Sequence, residues 1–364
     1  MKKISQILCA VAVVATMASC GKKNEFTING AIGGNALDGE MVYLFNNVDR
    51  RTAIDSVLIT EGAFTFKGIV EEPWVATVGN RGFSQTFIVE PGTISVGLDT
   101  VCGTPLNDKL LAAQAKLDIS DLQPELETLA QLYYTAPNAE MRADAERQYD
   151  SVEAIANKRV LDASWDIYND NRDNILGAFA MEQIAQMGEY SYAQFDSILA
   201  AATPVVRDYA PVAKRLQQLR AIDATSAGHH YTDIEGVDGN LSDLIDGHVA
   251  LVDFYASWCG PCRAEIKDNL VPLWKKYQKQ GLVIVGLNVW ERGDRAAREA
   301  AHRKVMDDLG ITYPQLVDST RTATDTYGVS GIPQIMLIDK DGTILARDLR
   351  GAAIEEAITK ALAK

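Results

Sequence analysis

Apolar and polar residues alternate with a period of two along the first third of the chain. Phe26-Thr27-Ile28-Asn29-Gly30 is the clearest run, and Met41-Val42-Tyr43-Leu44-Phe45 and residues 53–59 are further stretches of strand length. Glu61-Gly62 is a turn signal ahead of Ala63-Phe64-Thr65-Phe66. Phe87-Ile88-Val89 and Ile94-Ser95-Val96 flank the turn Glu90-Pro91-Gly92-Thr93. A period of two turns one face of each strand inward. Short strands at this spacing predict a small, sandwich-like all-β domain over residues 26–104.

The pattern then changes to a helical period. Residues 105–223 are rich in Ala, Leu, Gln and Glu and predict a helical region. Pro124 suits the first turn of a helix after Ser120-Asp121. Val152, Ile155, Ala156, Val160, Trp165 and Tyr168 lie at helical spacing and predict a packed stripe. Asp173, Ser191 and Pro204 mark helix boundaries. The small residues 224–228 predict a linker. Beyond it, residues 229–364 alternate strand and helix patterns: a buried strand over 250–256, a helical run over 264–280, a helix over 294–309, strands over 315–317 and 334–339, and a last helix over 352–362. At 364 residues the chain exceeds one ordinary core. The predicted fold class is multidomain: a small all-β domain, a helical region and a C-terminal α/β domain.

The N-terminus reads differently. Lys2 and Lys3 precede a short apolar run, and small residues lead into Cys20. That run is too short to span a bilayer. Residues 1–19 therefore read as a signal peptide, and Met17-Ala18-Ser19-Cys20 resembles a bacterial lipobox. The resemblance implies cleavage before Cys20, a lipid on its sulfur, and a lipidated tether over residues 20–25. The formal charge of −14, deepened by loss of Lys2 and Lys3, argues against nucleic acid or an anionic membrane surface as a partner.

Five cysteines are present. Cys9 leaves with the signal and Cys102 reads as a small buried hydrophobe. Cys259 and Cys262 are the one close pair. An exported chain with one such pair uses it for chemistry rather than for stapling. Two cysteines are too few for structural zinc, and the adjacent His229 and His230 point apart in an extended segment. No metal and no cofactor is expected. A peroxidase would need Thr at 256 and Pro at 252, where Ala256 and Val252 stand.

Strand 250–256 runs straight into Ser257-Trp258-Cys259-Gly260-Pro261-Cys262-Arg263 and then a helix. Strand, tight turn and helix put Cys259 at a helix N-terminus, where unpaired N–H groups and the helix dipole favour a thiolate. Cys262 lies one turn on. Trp-Cys-Gly-Pro-Cys after an apolar strand, with Val329-Ser330-Gly331-Ile332-Pro333 before another, resembles the thioredoxin family over residues 229–364. The inserted helix–strand unit before Pro333 resembles the TlpA/ResA branch of extracytoplasmic thioredoxins, and the N-terminal β pattern resembles a lipoprotein domain of unassigned function.

The resemblance implies a thioredoxin-like fold and thiol–disulfide exchange. It makes Pro333 a cis proline beside the disulfide. Trp258, Gly260, Pro261, Ile332 and Pro333 then form the substrate-binding surface. Glu265 matches an acid near the active site in the TlpA/ResA branch, and Asp253 the buried acid of thioredoxin. Which of the two relays the proton stays open. Gly260-Pro261 matches reducing thioredoxins, near roughly −270 mV against about −120 mV for strong oxidants. A charged Asp253 would further disfavour a thiolate. The expected function is a lipid-anchored, periplasm-facing reductase of protein disulfides, fed by a membrane electron donor. Its alternative is a partner- or ligand-binding lipoprotein in which the N-terminal domains dominate.

Overall fold

The computed structural model describes residues 24–32, 37–49, 52–237, 239–318, 320 and 322–363. The signal segment, Cys20 and the tether as far as Lys23 lie outside the described residues. Among the described residues, no helix is long and apolar enough to cross a membrane. Two compact units are present. One runs to Gly188 and resumes over Ala202–Pro211; the other takes Glu189–Ala201 and everything from Val212 onward.

In the first unit the period-two pattern becomes two four-stranded sheets. One has the order β4-β1-β7-β8, from β1 (Glu25–Ala31), β4 (Ala63–Ile69), β7 (Gly92–Val96) and β8 (Val101–Cys102). The other has the order β3-β2-β5-β6, from β2 (Met41–Asn46), β3 (Ala53–Leu58), β5 (Trp74–Gly79) and β6 (Ser84–Val89). Alternate residues of β1, Phe26 and Ile28, turn inward with Phe64, Phe66 and Ile94 to meet Leu44, Val78 and Phe87 of the second sheet in one core. The region is a β-sandwich. Cys102, expected in the core, is half-buried at the end of a short strand.

The sandwich continues into α1 (Pro105–Leu117) through Asn107. This side chain is fully buried: its amide donates to Ile88 O at 2.7 Å and Thr104 Oγ1 at 2.8 Å, and its oxygen accepts from Ile88 N–H at 2.9 Å. It takes the place of a neighbouring strand on β6. Helices α2 (Gln123–Thr135), α3 (Ala139–Asp170), α4 (Ile175–Met187) and the short α6 (Pro204–Arg207) complete the unit. Asn138 and Asn174 cap α3 and α4 with their side-chain oxygens, the arrangement that satisfies first-turn N–H groups.

The second unit begins with α5 (Tyr192–Ala200), whose Ser191–Gln194 capping box sits at the expected boundary. α7 (Ala210–Ala224) follows α6 in sequence. Within this unit Gln218 donates to Gly328 O at 3.2 Å, and Arg347 donates to Thr225 O at 3.0 Å and Tyr327 O at 2.7 Å. These bonds tie α7 and the chain just after it to the α/β core.

After the hairpin β9 (Glu235–Gly236) and β10 (Gly239–Asn240) and helix α8 (Leu241–Ile245), a five-stranded sheet forms with the order β13-β12-β11-β14-β15. β11 (Val249–Tyr255) and β12 (Leu282–Asn288) are parallel, as are β12 and β13 (Gln315–Val317); β14 (Gln334–Ile338) and β15 (Ile344–Ala346) run antiparallel. All seven residues of β11 are buried. Leu251 and Tyr255 enter one core with Cys259 and Cys262; Ala250, Val252 and Phe254 enter the core on the other face. A strand buried on both faces reads as a continuous apolar run, which is why it stood out. Asp253 is the exception within it.

Helices α11 (Arg295–Leu309), α12 (Ala323–Thr326) and α13 (Ala352–Leu362) complete the fold. The expected helix over 264–280 is instead α9 (Gly260–Glu265), one π turn, α10 (Val271–Tyr277) and a short 3-10 turn. The cause is Pro272. It has no N–H to donate to the carbonyl four residues back, and Val271 N–H reaches Ile266 O five residues back. The α/β unit has the thioredoxin-like fold.

Candidate active site

β11 delivers the chain to the N-terminus of α9, where Cys259 is the capping residue. Cys259 and Cys262 are joined by a disulfide with Cα atoms 5.3 Å apart. Cys262 N–H points at Cys259 Sγ at 3.2 Å. An N–H already aimed at that sulfur is a ready partner for a thiolate. Pro261 stands in the first turn, where an N–H would have no helical partner. Cys259 is 5% exposed and Cys262 is fully sealed. What exposure the pair retains is that of Cys259.

The Ile332–Pro333 peptide bond is cis. It brings Ile332 O to 3.7 Å from Cys259 Sγ. Arg350 donates to Pro333 O, fastening this loop from outside. Trp258 is 44% exposed beside the pair. Cys259, Cys262, Trp258, Gly260, Pro261, Ile332 and Pro333 thus meet at one place.

The two acids differ. Asp253 is buried on the face of β11 that carries Leu251 and Tyr255, and neither carboxylate oxygen has a hydrogen-bond partner. Burial pushes its pKa up to about 8; Arg350 pulls it down and Glu265 adds to the rise. At pH 7 it is therefore mostly neutral. The sequence argument that its charge disfavours a thiolate applies only as pH approaches 8. Glu265 is half-buried and occupied: its Oε1 accepts from Asn269 Nδ2 at 2.8 Å and from Gly351 N–H at 3.0 Å. That bond secures the loop before α13.

Sequence reasoning missed Glu291 and Arg350. Glu291 is buried just past the end of β12 and accepts from Ser257, two residues before Cys259. The signal was available: an acid directly after an apolar strand, at the carboxyl ends of parallel strands where α/β sites gather. Arg350 had no local signal, because the contact joins it to Pro333 across a loop. The inserted α11 and β13 border a 390 Å³ cleft lined by residues that include Trp290, Glu291 and His302. Burial lowers the pKa of His302. Among the described residues, no three His, Cys, Asp or Glu side chains are grouped to hold a metal ion.

Residues 220–347 match the AhpC/TSA family, and residues 26–110 match a domain of unknown function, DUF4369. The thiol-disulfide oxidoreductase ResA of Geobacillus thermodenitrificans is 31% identical over 126 residues, which are 34% of this chain and 67% of that protein. The thiol:disulfide interchange protein HelX of Rhodobacter capsulatus is 35% identical over 120 residues, 33% of this chain and 61% of that one. The crystal structure of the thioredoxin domain of a thiol-disulfide oxidoreductase from Bacteroides vulgatus is 27% identical and covers 37% of this chain and 96% of its own, with a TM-score of 0.33. With Cys259 and Cys262 in a disulfide beside a cis proline, this chain belongs to the TlpA/ResA-like family of thioredoxin-like thiol–disulfide oxidoreductases.

Proposed function

We propose that this protein is tethered in the cell envelope by a lipid on Cys20, faces the periplasm, and reduces disulfides in other proteins. The observation that carries the chemistry is the asymmetry of the pair, with Cys259 reachable and Cys262 sealed beneath it. In the dithiol form, Cys259 thiolate attacks one sulfur of a substrate disulfide. A Cys259–substrate disulfide forms, and the other substrate sulfur leaves as a thiolate and takes a proton. Cys262 then attacks Cys259 Sγ, restores the internal disulfide and frees the second substrate thiol. Two electrons pass to the substrate.

Asp253 is suited to hold or release the Cys262 proton, because a pKa near 8 lies close to that of a thiol. Glu265, occupied by Asn269 and Gly351, acts through the charge it presents to Asp253. The peptide groups around Ile332 and Pro333 line the approach to Cys259, where an extended substrate segment would pair by its backbone. Return to the dithiol form needs a dithiol donor, for which a membrane thiol reductase is the partner. Gly260-Pro261 between the cysteines favours the reducing direction.

Trapping tests the chemistry. Cys262→Ser should accumulate mixed disulfides through Cys259, visible on non-reducing gels; equal trapping by Cys259→Ser would reverse the order of attack. A redox titration tests direction, and a potential well above about −180 mV would refute a reductase. Cys20→Ser should move the protein out of the membrane fraction.

A further inference from the structure

Three consecutive residues after β12 grip the two residues ahead of Cys259. Glu291 is 6% exposed. Its Oε1 accepts from Ser257 N–H at 2.5 Å and from Asn288 Nδ2 at 2.9 Å, and its Oε2 accepts from the Ser257 hydroxyl at 2.8 Å. The carbonyl of Trp290 accepts the Trp258 indole N–H at 3.1 Å. The guanidinium of Arg292 lies 4.5 Å from the Trp258 ring centroid, within cation–π range.

The grip has a cost, which argues that it is specified. Trp290 takes a φ of +55°, a conformation unfavourable for a bulky side chain. Its indole N–H donates to Thr324 Oγ1 at 3.2 Å, holding it there. A carboxylate so far from water is expensive unless its lone pairs are used. Here they are used by Ser257 on the redox loop and Asn288 on β12. β12 is hydrogen-bonded to β11 along its whole length, so the strand that leads to Cys259 and the clamp that follows β12 form one rigid frame.

We propose that Glu291 is a positioning residue for thiol–disulfide exchange: its carboxylate fastens the Ser257–Trp258 step to the end of β12 and fixes how Cys259 meets an incoming sulfur. It touches no reacting atom and acts through Ser257. Attack on a disulfide requires the sulfurs to line up, and a misplacement of about 1 Å is enough to cost about a hundredfold in rate. The inference rests on exchange at Cys259 and not on its direction.

The test uses the full chain, insulin as the disulfide substrate and dithiothreitol as the electron donor. Glu291→Gln preserves the geometry: its oxygen can accept from Ser257 N–H and Asn288, and its amide can donate to Ser257 Oγ. It should stay within about threefold of wild type, as expected when hydrogen bonds are kept and a charge is lost. Glu291→Ala strands the donors and should lower kcat/KM by about tenfold or more at a temperature where the variant is folded. An alanine variant within twofold of wild type overturns the assignment. So does a glutamine variant as slow as alanine, because charge rather than placement would then be what matters. If Glu291→Ala does not fold, Ser257→Ala takes its place, with a loss of about threefold expected for one bond; no loss overturns the assignment. A wild-type protein that fails to reduce insulin would instead refute the function proposed above, so the two failures are separable.

Discussion

Asn107 in the sandwich unit and Asp253 in the α/β unit are both buried polar side chains, at 0% and 1% exposure. Asn107 bonds to both backbone groups of Ile88 and to Thr104, whereas Asp253 bonds to nothing with either oxygen. A satisfied buried amide is structure. A buried carboxyl with no partner is costly and persists where its proton is useful. One polar side chain holds a helix to a sheet edge; the other, on the function proposed above, serves as a proton store for the redox pair.

The largest expected effect is on the satisfied side. Asn107→Leu removes three bonds and leaves Ile88 N–H and C=O buried and unpaired, so the first unit should lose about 3 kcal/mol in urea unfolding. A loss below about 1 kcal/mol would remove the contrast, since such a value is ordinary for any single hydrogen bond.

Asp253→Asn has no hydrogen bond to break, and near pH 7 it should be no less stable than wild type. Exchange should instead slow by about tenfold to a hundredfold, and the rate profile should lose its limb near pH 8. A destabilised variant of unchanged rate would make Asp253 as structural as Asn107.

The pH dependence of stability sharpens the same point. The folded pKa of about 8 lies above the ordinary aspartate value of about 4, so the folded state holds this proton more tightly. The contribution of Asp253 is fully present below about pH 4, is lost as pH rises to about 8, and is flat above, with a slope of at most about 1.4 kcal/mol per pH unit. Melting temperatures of Asp253→Asn and wild type should therefore diverge in favour of the variant between pH 5 and pH 8. The smallest effect is on the flanking charges. Glu265→Gln should move the pH-rate limb down, and Arg350→Gln should move it up, each by about half a unit. Shifts of the same sign would show that neither charge acts on Asp253.

What the sequence revealed follows the same division. Period-two alternation in residues 26–31 and 63–69 and the unbroken apolar run of β11 were legible because each strand faces a core. Cys259, Cys262 and Pro333 were legible because their motifs are contiguous. Asp253 was visible as a charge inside an apolar strand, but its protonation was not: burial is the main cause of the shift, and burial belongs to the fold. Ile54 and Leu58 lie on the edge strand β3 and stay exposed, so apolar composition there overstated burial. The π turn was latent in Pro272, whose missing N–H reroutes one bond without ending the helical path. Glu291 and Arg350 act on residues far away in sequence, and no periodicity records such contacts.

The passage of the chain between its two compact units, at Gly188–Glu189, Ala201–Ala202 and Pro211–Val212, bears on how the protein is made. Synthesis runs from the N-terminus at about 5–20 residues per second. α5 is complete long before β11 begins at Val249 and before β15 closes the sheet at Ala346. The first unit is incomplete until Pro211 has emerged. A nascent chain halted after Gly188 lacks the last piece of one unit, and a fragment begun at His229 lacks two helices of the other. Neither unit is one unbroken stretch of the chain.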